Sequence, residues 1–486
     1  MTVPAGFGLG PLAPEIVLFA AAIAALFVHL FAGRRGRRAA GYVALAGIGA
    51  AGLALALTPP SAAALFAGHL AVDAFALYFK AAALAAGALA VVLAFRFFDV
   101  EGGEPGEVYC LMLLSLIGMM ASVSATDIVT TYVAFELFAI PSYVLAGIFK
   151  KERRSAEAGI KYFFLGTLSS AIMVLGLAVV FGLTGSTGYA ESGRTLAGAN
   201  GPVALAAMAL VFAGLFFKAA FVPFHMWAPD VYEGAPTPLV VFLSTAPKAA
   251  VIAVLIRAMT SLFAGQSAAW SLVLQIAAMA TMFWGNLAAL TQTSVKRMLG
   301  YSAIAQAGYL AIGLAAWGET GRMAVLFYIV VYIVMNAAAF GLILLVDRGG
   351  RFDETVEGLR GLARRAPLAS AGALIVLLSL TGIPPTAGFM GKYFLFTAAV
   401  ERGMVVLAVA GALNSVLSLF YYFRIGKALF LEEAADAVSG GPGPRPLPAV
   451  SRLVTVFLAA CAAALLLFGL LPGLLTSPAV SAVLAQ

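Results

Sequence analysis

Charge is what this chain has least of. Asp, Glu, Lys and Arg make up 10% of its 486 residues, whereas 63% are hydrophobic. A soluble domain keeps about a quarter of its residues charged to face water, so most of this surface must face lipid. Cysteine is almost absent too. Cys110 and Cys461 stand far apart, whereas an iron–sulfur cluster takes about four thiolates. The only histidines are His29, His69 and His225, so the sequence predicts no metal centre, redox or structural. Gly47-x-Gly49-x-x-Gly52 spells a dinucleotide fingerprint, but no strand or βαβ unit surrounds it. Inside an apolar run it reads as a close helix contact. No other nucleotide site and no nucleophile–base pair stand out.

Long apolar runs are what remains. A span needs about 20 apolar residues, and windows of that size give about 14 candidates. They lie near 12–31, 40–57, 73–96, 107–124, 126–149, 161–184, 202–226, 237–259, 270–290, 298–317, 322–346, 368–398, 404–430 and 453–473. Lipid leaves no backbone polar group unpaired, so spans are helices or a closed barrel. Barrel strands alternate apolar with polar over about 10 residues. These runs are twice as long and apolar throughout, which predicts an all-α polytopic membrane protein.

The net charge of +7 is no nucleic-acid signal, because the basic residues sit in short loops. With the first span entering from outside, Arg34, Arg35, Arg37 and Arg38 fall inside. So do Lys150, Lys151, Arg153, Arg154, Lys296, Arg297, Arg348, Arg351, Arg360, Arg364, Arg365, Arg445 and Arg452. The outer loops hold little more than Arg194, Arg322 and Arg402. This is the positive-inside asymmetry, and it predicts an even number of spans with both ends outside. Basic residues follow the first run rather than precede it, the flank order of an anchor and not of a cleaved signal.

Four blocks are expected: a three-span segment at 1–105, five spans at 106–260, five more at 261–430, and a linker with a last span at 431–486. Within the last, the Gly/Pro-rich stretch from Ser439 to Pro448 reads as an irregular connector. The fourth span of each five-span block contains prolines: Pro223 and Pro229 in the first, Pro384 and Pro385 in the second. Proline removes a helix hydrogen bond and clashes with the preceding turn, so each helix is expected to break. Paired broken helices mark inverted-repeat transporters with a pathway at the midplane, and five being odd, the two blocks are inverted. Lys218 precedes its proline and Lys392 follows its pair, so the match is imperfect.

Four charges lie where none should. Glu136, Lys218, Lys248 and Lys392 are each flanked by apolar residues. A charge at the bilayer centre costs about 2.5–3.5 kcal/mol on insertion scales and marks an ion or proton pathway by default; snorkelling to the interface is the alternative. Burial disfavours the charged form of lysine and a nearby carboxylate favours it. Moving Glu136 relative to Lys218 would then switch proton affinity, with Lys248 and Lys392 passing the proton on. Lys80 reads equally as structural or as a lateral relay. Lys161 either snorkels to the inner surface or relays to Lys218. His225, at a break, titrates near neutral pH. Asp230 and Glu233 are caps or proton-uptake groups.

The stretches ELFAIPSYVLAG, KYFFLGTLSSA, FKAAFVPFHMWAPDVYEGAPTPLVVFLSTAPKAA, KRMLGYSAIAQAGY and LTGIPPTAGFMGKYFLF resemble the antiporter-like membrane subunits of bacterial NADH:quinone oxidoreductase, respiratory complex I. The likeness covers most of 106–430. Subunits L and M and the sodium/proton antiporters of this fold usually read H-T-W-L-P-D at the first break. Here His225-Met226-Trp227-Ala228-Pro229-Asp230 runs on into Val231-Tyr232-Glu233-Gly234-Ala235-Pro236, which resembles the subunit N branch, as does a lysine at 392. The resemblance implies that Glu136 modulates Lys218, that Lys248 connects, and that Lys392 serves the exit. It further implies a proton-translocating subunit of the bacterial inner membrane, partnered by subunit M and small membrane subunits. NADH, FMN, iron–sulfur clusters and quinone would belong to other subunits, with no cofactor in this chain. A cation/proton antiporter subunit is the alternative, and a scaffold with inert buried charges is a third reading.

Overall fold

The computed structural model describes residues 9–103, 105–198, 201–347, 350–433 and 450–484. The connector from Ser439 to Pro448, with Arg445 in it, lies outside the described residues, as does Arg348. The chain is a bundle of helices: α1 Ala13–Ala56, α2 Ala74–Glu101, α3 Pro105–Ser124, α4 Ile128–Ala146, α5 Arg153–Thr184 and α6 Tyr189–Ala197. There follow α7 Pro202–Ala219, α8 Trp227–Gly234, α9 Thr237–Arg257, α10 Ser267–Leu290, α11 Val295–Ala315 and α12 Glu319–Gly341. The last are α13 Leu362–Arg365, α14 Pro367–Thr381, α15 Ala387–Glu401, α16 Val405–Phe430, α17 Arg452–Leu470 and α18 Gly473–Leu484. Among the described residues, 13 helices are long and apolar enough to cross a membrane. This is the expected all-α polytopic class.

Helical geometry is continuous through α1, yet the chain doubles back within it. A Cβ on Gly47 would stand 2.2 Å from that of Ala21, whereas on a straight helix these positions would be about 39 Å apart. Two spans, Gly10–Phe31 and Arg37–Ala56, result. Of the three glycines in the dinucleotide-like string, Gly47 makes this contact, while Gly49 and Gly52 face open space. A short antiparallel hairpin, β1 Ser61–Leu65 with β2 Leu70–Val72, was not legible in so apolar a stretch. It straps the α3–α4 corner through Thr126, whose N–H donates to the His69 carbonyl (3.1 Å).

Both expected breaks are present. α7 stops at Ala220, which takes a left-handed conformation (φ +61°) with its N–H on the carbonyls of Phe216 and Phe217. α14 stops at Gly382 (φ +90°), whose N–H reaches Leu378 and Ser379. The Val222–Pro223 and Pro384–Pro385 bonds are cis. Pro229 breaks nothing: it sits in the first turn of α8, where a helix makes no use of that N–H. The halves α14 and α15 have 15 residues each, each too short to span alone, and together they occupy the twelfth apolar run.

Burial separates core from rim. In α9 all of the most apolar window is buried, and in α11 and α12 the shares are 94% and 89%. In α1, α5, α16 and α17 no such window exceeds 39%. A helix apolar all round belongs in a core or against lipid. Here α9, α11 and α12 fill the centre, and the breaks abut them.

Candidate functional site

The site begins in the last turn of α7. Lys218, 3% exposed, donates from Nζ to the Tyr143 hydroxyl of α4 at 2.7 Å. The rings of Tyr143, Phe138 and Tyr162 surround the ammonium at 4.6, 5.7 and 5.9 Å, where ring faces attract cations. Tyr162 of α5 stacks on Trp227 of α8 at 4.5 Å, and the Trp227 indole N–H donates to the Phe217 carbonyl (2.8 Å). The rings thus clamp both sides of the first break. Gly166 makes the room, since a Cβ there would come within 2.3 Å of the Tyr143 hydroxyl oxygen.

Glu136 lies two turns from Tyr143 on the same face of α4. It is half-buried, and its Oε1 is enclosed without a hydrogen-bond partner among the described residues. Among the described residues no ion pair joins it to Lys218, whose ammonium bonds the Tyr143 hydroxyl instead. Tyr143 is the direct partner, a residue the sequence reading missed because a tyrosine in an apolar helix looks like core.

Lys248 lies midway along α9, directly after Pro247, a proline that could have drawn notice. Its Nζ donates to the Ala303 carbonyl of α11 at 2.6 Å and sits 5.3 Å from the Tyr332 ring of α12. One turn away the Tyr332 hydroxyl donates to the Ser244 carbonyl (2.7 Å), and the Asn336 amide donates to the Ser244 hydroxyl (2.7 Å).

Lys392 serves the second break. From α15 its Nζ donates to the carbonyls of Leu380 (2.9 Å) and Thr381 (3.0 Å), the last residues of α14. The last four carbonyls of a helix lack partners within it and form its negative end, so a lysine is the residue they call for. The Tyr309 ring lies 4.2 Å from the ammonium. Gly382 is needed twice, for its positive φ and because a Cβ there would stand 2.9 Å from Cδ of Lys392.

α11 links the two. Ser302, Ala303, Gln306 and Tyr309 recur at helical spacing on one face. The Gln306 amide donates to the Leu380 carbonyl (3.1 Å) and to the Tyr422 hydroxyl (3.3 Å), and its Oε1 accepts from Tyr328. The hydroxyls of Ser302 and Tyr422 are 2.5 Å apart. A polar line therefore runs from the carbonyl that holds Lys248 to the one that holds Lys392. Among the described residues no carboxylate lies within 4.0 Å of Lys218, Lys248 or Lys392.

The remaining candidates fall elsewhere. His225, 4% exposed, lies at the first break with its ring edge-on to Trp284 (5.8 Å). Lys161 pairs with Glu157 and Asp230, each at 2.7 Å, and Arg297 joins Asp230 (2.8 Å) to Glu233 (2.7 Å). These five form a partly exposed cluster, and none is hydrogen-bonded to Lys218. Lys80 meets Glu15 of α1 at 2.7 Å in a pair with side chains only 2% and 10% exposed, a partner not anticipated. Among the described residues no three His, Cys, Asp or Glu side chains gather as a metal-binding group.

Residues 125–418 match the family described as NADH:quinone oxidoreductase/Mrp antiporter, transmembrane. The NADH-quinone oxidoreductase subunit N of Desulfovibrio desulfuricans is 40% identical over 487 residues, covering 96% of this chain and 94% of its own. The protein of the same name from Trichlorobacter lovleyi is 40% identical over 420 residues, 86% of each. A chain of respiratory complex I from Thermus thermophilus, solved with bound aureothin, superposes with a TM-score of 0.78 at 33% identity, over 96% of this chain and 99% of that one. A chain of the Mrp complex from Dietzia sp., at 23% identity, shares the fold with a TM-score of 0.81 over 98% of this chain and 96% of its own. The chain belongs to the NADH:quinone oxidoreductase/Mrp antiporter family of membrane subunits, among its NADH-quinone oxidoreductase subunit N members.

Proposed function

We propose that Glu136, Lys218, Lys248 and Lys392 carry the proton translocation of this complex I subunit. The supporting observation is that three lysines, each no more than 3% exposed, have hydroxyls, carbonyls and aromatic rings around them but no carboxylate within pairing distance. A buried cation with no counter-ion is costly. Neutral oxygen and ring partners hold the ammonium less firmly than a carboxylate would, so each lysine gives up its proton more readily than in an ion pair.

In this reading Tyr143 couples Glu136 to Lys218. Lys248 is the centre of the line, and Gln306, Tyr422 and Ser302 order the stretch to Lys392. His225 and Lys161 are accessory, the latter in the charge cluster at the inner surface. The blocks 106–260 and 261–430 act as inverted halves around the two breaks. The redox chemistry, with NADH, FMN, iron–sulfur clusters and quinone, takes place on other subunits, and subunit M and small membrane subunits flank this chain in the bacterial inner membrane.

The test is NADH-driven proton uptake by inverted membrane vesicles that contain the assembled complex. Lys218→Ala and Glu136→Ala are expected to lower uptake strongly while the complex remains assembled. Unchanged uptake in both variants would overturn the reading. An antiporter would instead show cation-dependent exchange without NADH-dependent quinone reduction.

A further inference from the structure

A groove on the lipid side reaches the relay from outside. It runs between α14 and α16, encloses about 230 Å³, and is lined by Leu374, Leu377, Leu378, Leu419 and Phe423, with Lys427 toward one end. From Leu419 to Phe430 the wall is about 16 Å long. Its floor includes Thr381 and Tyr422. Gly426 keeps one wall open: a Cβ there would meet nothing nearer than the Leu374 Cδ1 at 3.9 Å.

The Lys427 end is positive. Lys427 is 53% exposed and shares one carboxylate, Glu432, with Arg360, at 3.1 and 2.8 Å. The short α13 is tied to this end of α16 by the Gly361 N–H on the Ala428 carbonyl (3.0 Å). It adds Arg364, 81% exposed with Glu433 at 3.7 Å, and the exposed Arg365. Four cations thus face Glu357, Glu432 and Glu433, and the charge pattern of the loops places them on the inner side. Basic groups at that surface attract anionic headgroups. An apolar slot that starts at such a cluster and runs along a helix toward the bilayer middle has the shape and charge of a phospholipid.

We infer that this groove binds an anionic phospholipid, with its phosphate on Lys427 and the α13 arginines and one acyl chain along α16 down to Thr381 and Tyr422. The chain end then lies one residue away from the relay. The Thr381 carbonyl holds Lys392 (3.0 Å), and the Tyr422 hydroxyl meets Ser302 (2.5 Å) and Gln306 (3.3 Å). An ordered acyl chain there keeps water from reaching this network through the lipid face. That consequence rests on the proposed function, but the binding does not.

The experiment uses the assembled complex in vesicles that contain phosphatidylglycerol with a photoreactive acyl chain. Labelling is expected on the segments 374–381 and 419–430. Unlabelled phosphatidylglycerol should compete about fivefold better than phosphatidylcholine, the weight of roughly one basic residue at a membrane surface. Gly426→Leu fills the groove and should abolish the label, and Lys427→Gln should remove the headgroup preference while the label persists. Equal competition by both lipids would overturn the inference. So would undiminished labelling of Gly426→Leu, or label absent from both segments because a neighbouring subunit covers them. Proton uptake is not part of this readout, so a failed relay and a failed lipid site remain distinguishable.

Discussion

The Tyr143 hydroxyl, not the Glu136 carboxylate, holds the Lys218 ammonium, at 2.7 Å. Any influence of Glu136 on that lysine passes through space or through this hydroxyl. Tyr143→Phe should therefore impair translocation even though it leaves both charged residues in place. A hydrogen bond to a charged group contributes about 1.5–3 kcal/mol, so proton uptake by vesicles should fall about tenfold or more. Uptake equal to the unmodified complex would show that the tyrosine is packing only.

The buried pair Lys80–Glu15 reads as a staple between α1 and α2 rather than a branch of the relay. Lys80→Met alone leaves a buried carboxylate unpaired, at a cost of about 3–5 kcal/mol. The double variant Lys80→Met with Glu15→Leu should recover most of that loss in the detergent melting of the complex, together with proton uptake. A double variant that assembles normally and still fails to pump would make the pair part of the pathway.

Gly382→Ala should be damaging out of proportion to its size. A left-handed backbone penalises alanine by about 1 kcal/mol or more, and the new methyl would press on Lys392. The converse change, Ala220→Gly, removes a non-glycine residue from φ +61° and should hold or raise the melting temperature. A lower melting temperature for Ala220→Gly would mean that the left-handed cap is not strained.

At the inner surface, the hydrogen bond from Lys427 holds the Glu432 carboxyl below its ordinary range, helped by the Arg360 charge. A lowered carboxyl contributes stability above its unfolded value, and that contribution is lost as pH falls through the lower folded value. Glu432→Gln should thus differ from the parent in melting in full above about pH 4 and progressively less as pH falls through the lower folded value, and by less than about 1 kcal/mol, because the pair is largely exposed. The same variant releases Lys427, so labelling by photoreactive phosphatidylglycerol should rise. A fall in labelling would contradict the headgroup contact.

The membrane class and the two interruptions were legible because each has a one-dimensional cause. Scarce charge forces lipid contact, and prolines at 223 and 384–385 cannot continue a helix. Lys218, Lys248 and Lys392 stood out because charge inside an apolar run is rare. Their partners did not. Tyr143, Tyr309, Gln306 and Tyr422 belong to helices far apart in the chain, and their role exists only once α4, α11 and α16 pack around the breaks. The Lys80–Glu15 pair was hidden likewise, since 65 positions separate it and neither neighbourhood signals the other. The doubling back within α1 was legible as the basic gap between the first two apolar runs, whereas the hairpin at 61–72 was not, in so apolar a stretch.

Lys218 precedes its break in the chain and Lys392 follows its own, yet each belongs to the carboxyl end of the first half of a broken helix. Lys218 lies in the closing turn of α7, and Lys392 reaches across to the closing carbonyls of α14. Backbone carbonyls never titrate. They act as fixed electrodes whose sign no change of pH or redox state can reverse, so each lysine can lose and regain its proton against an unchanging background. Only the movable groups around it then need to differ between the loaded and the empty condition.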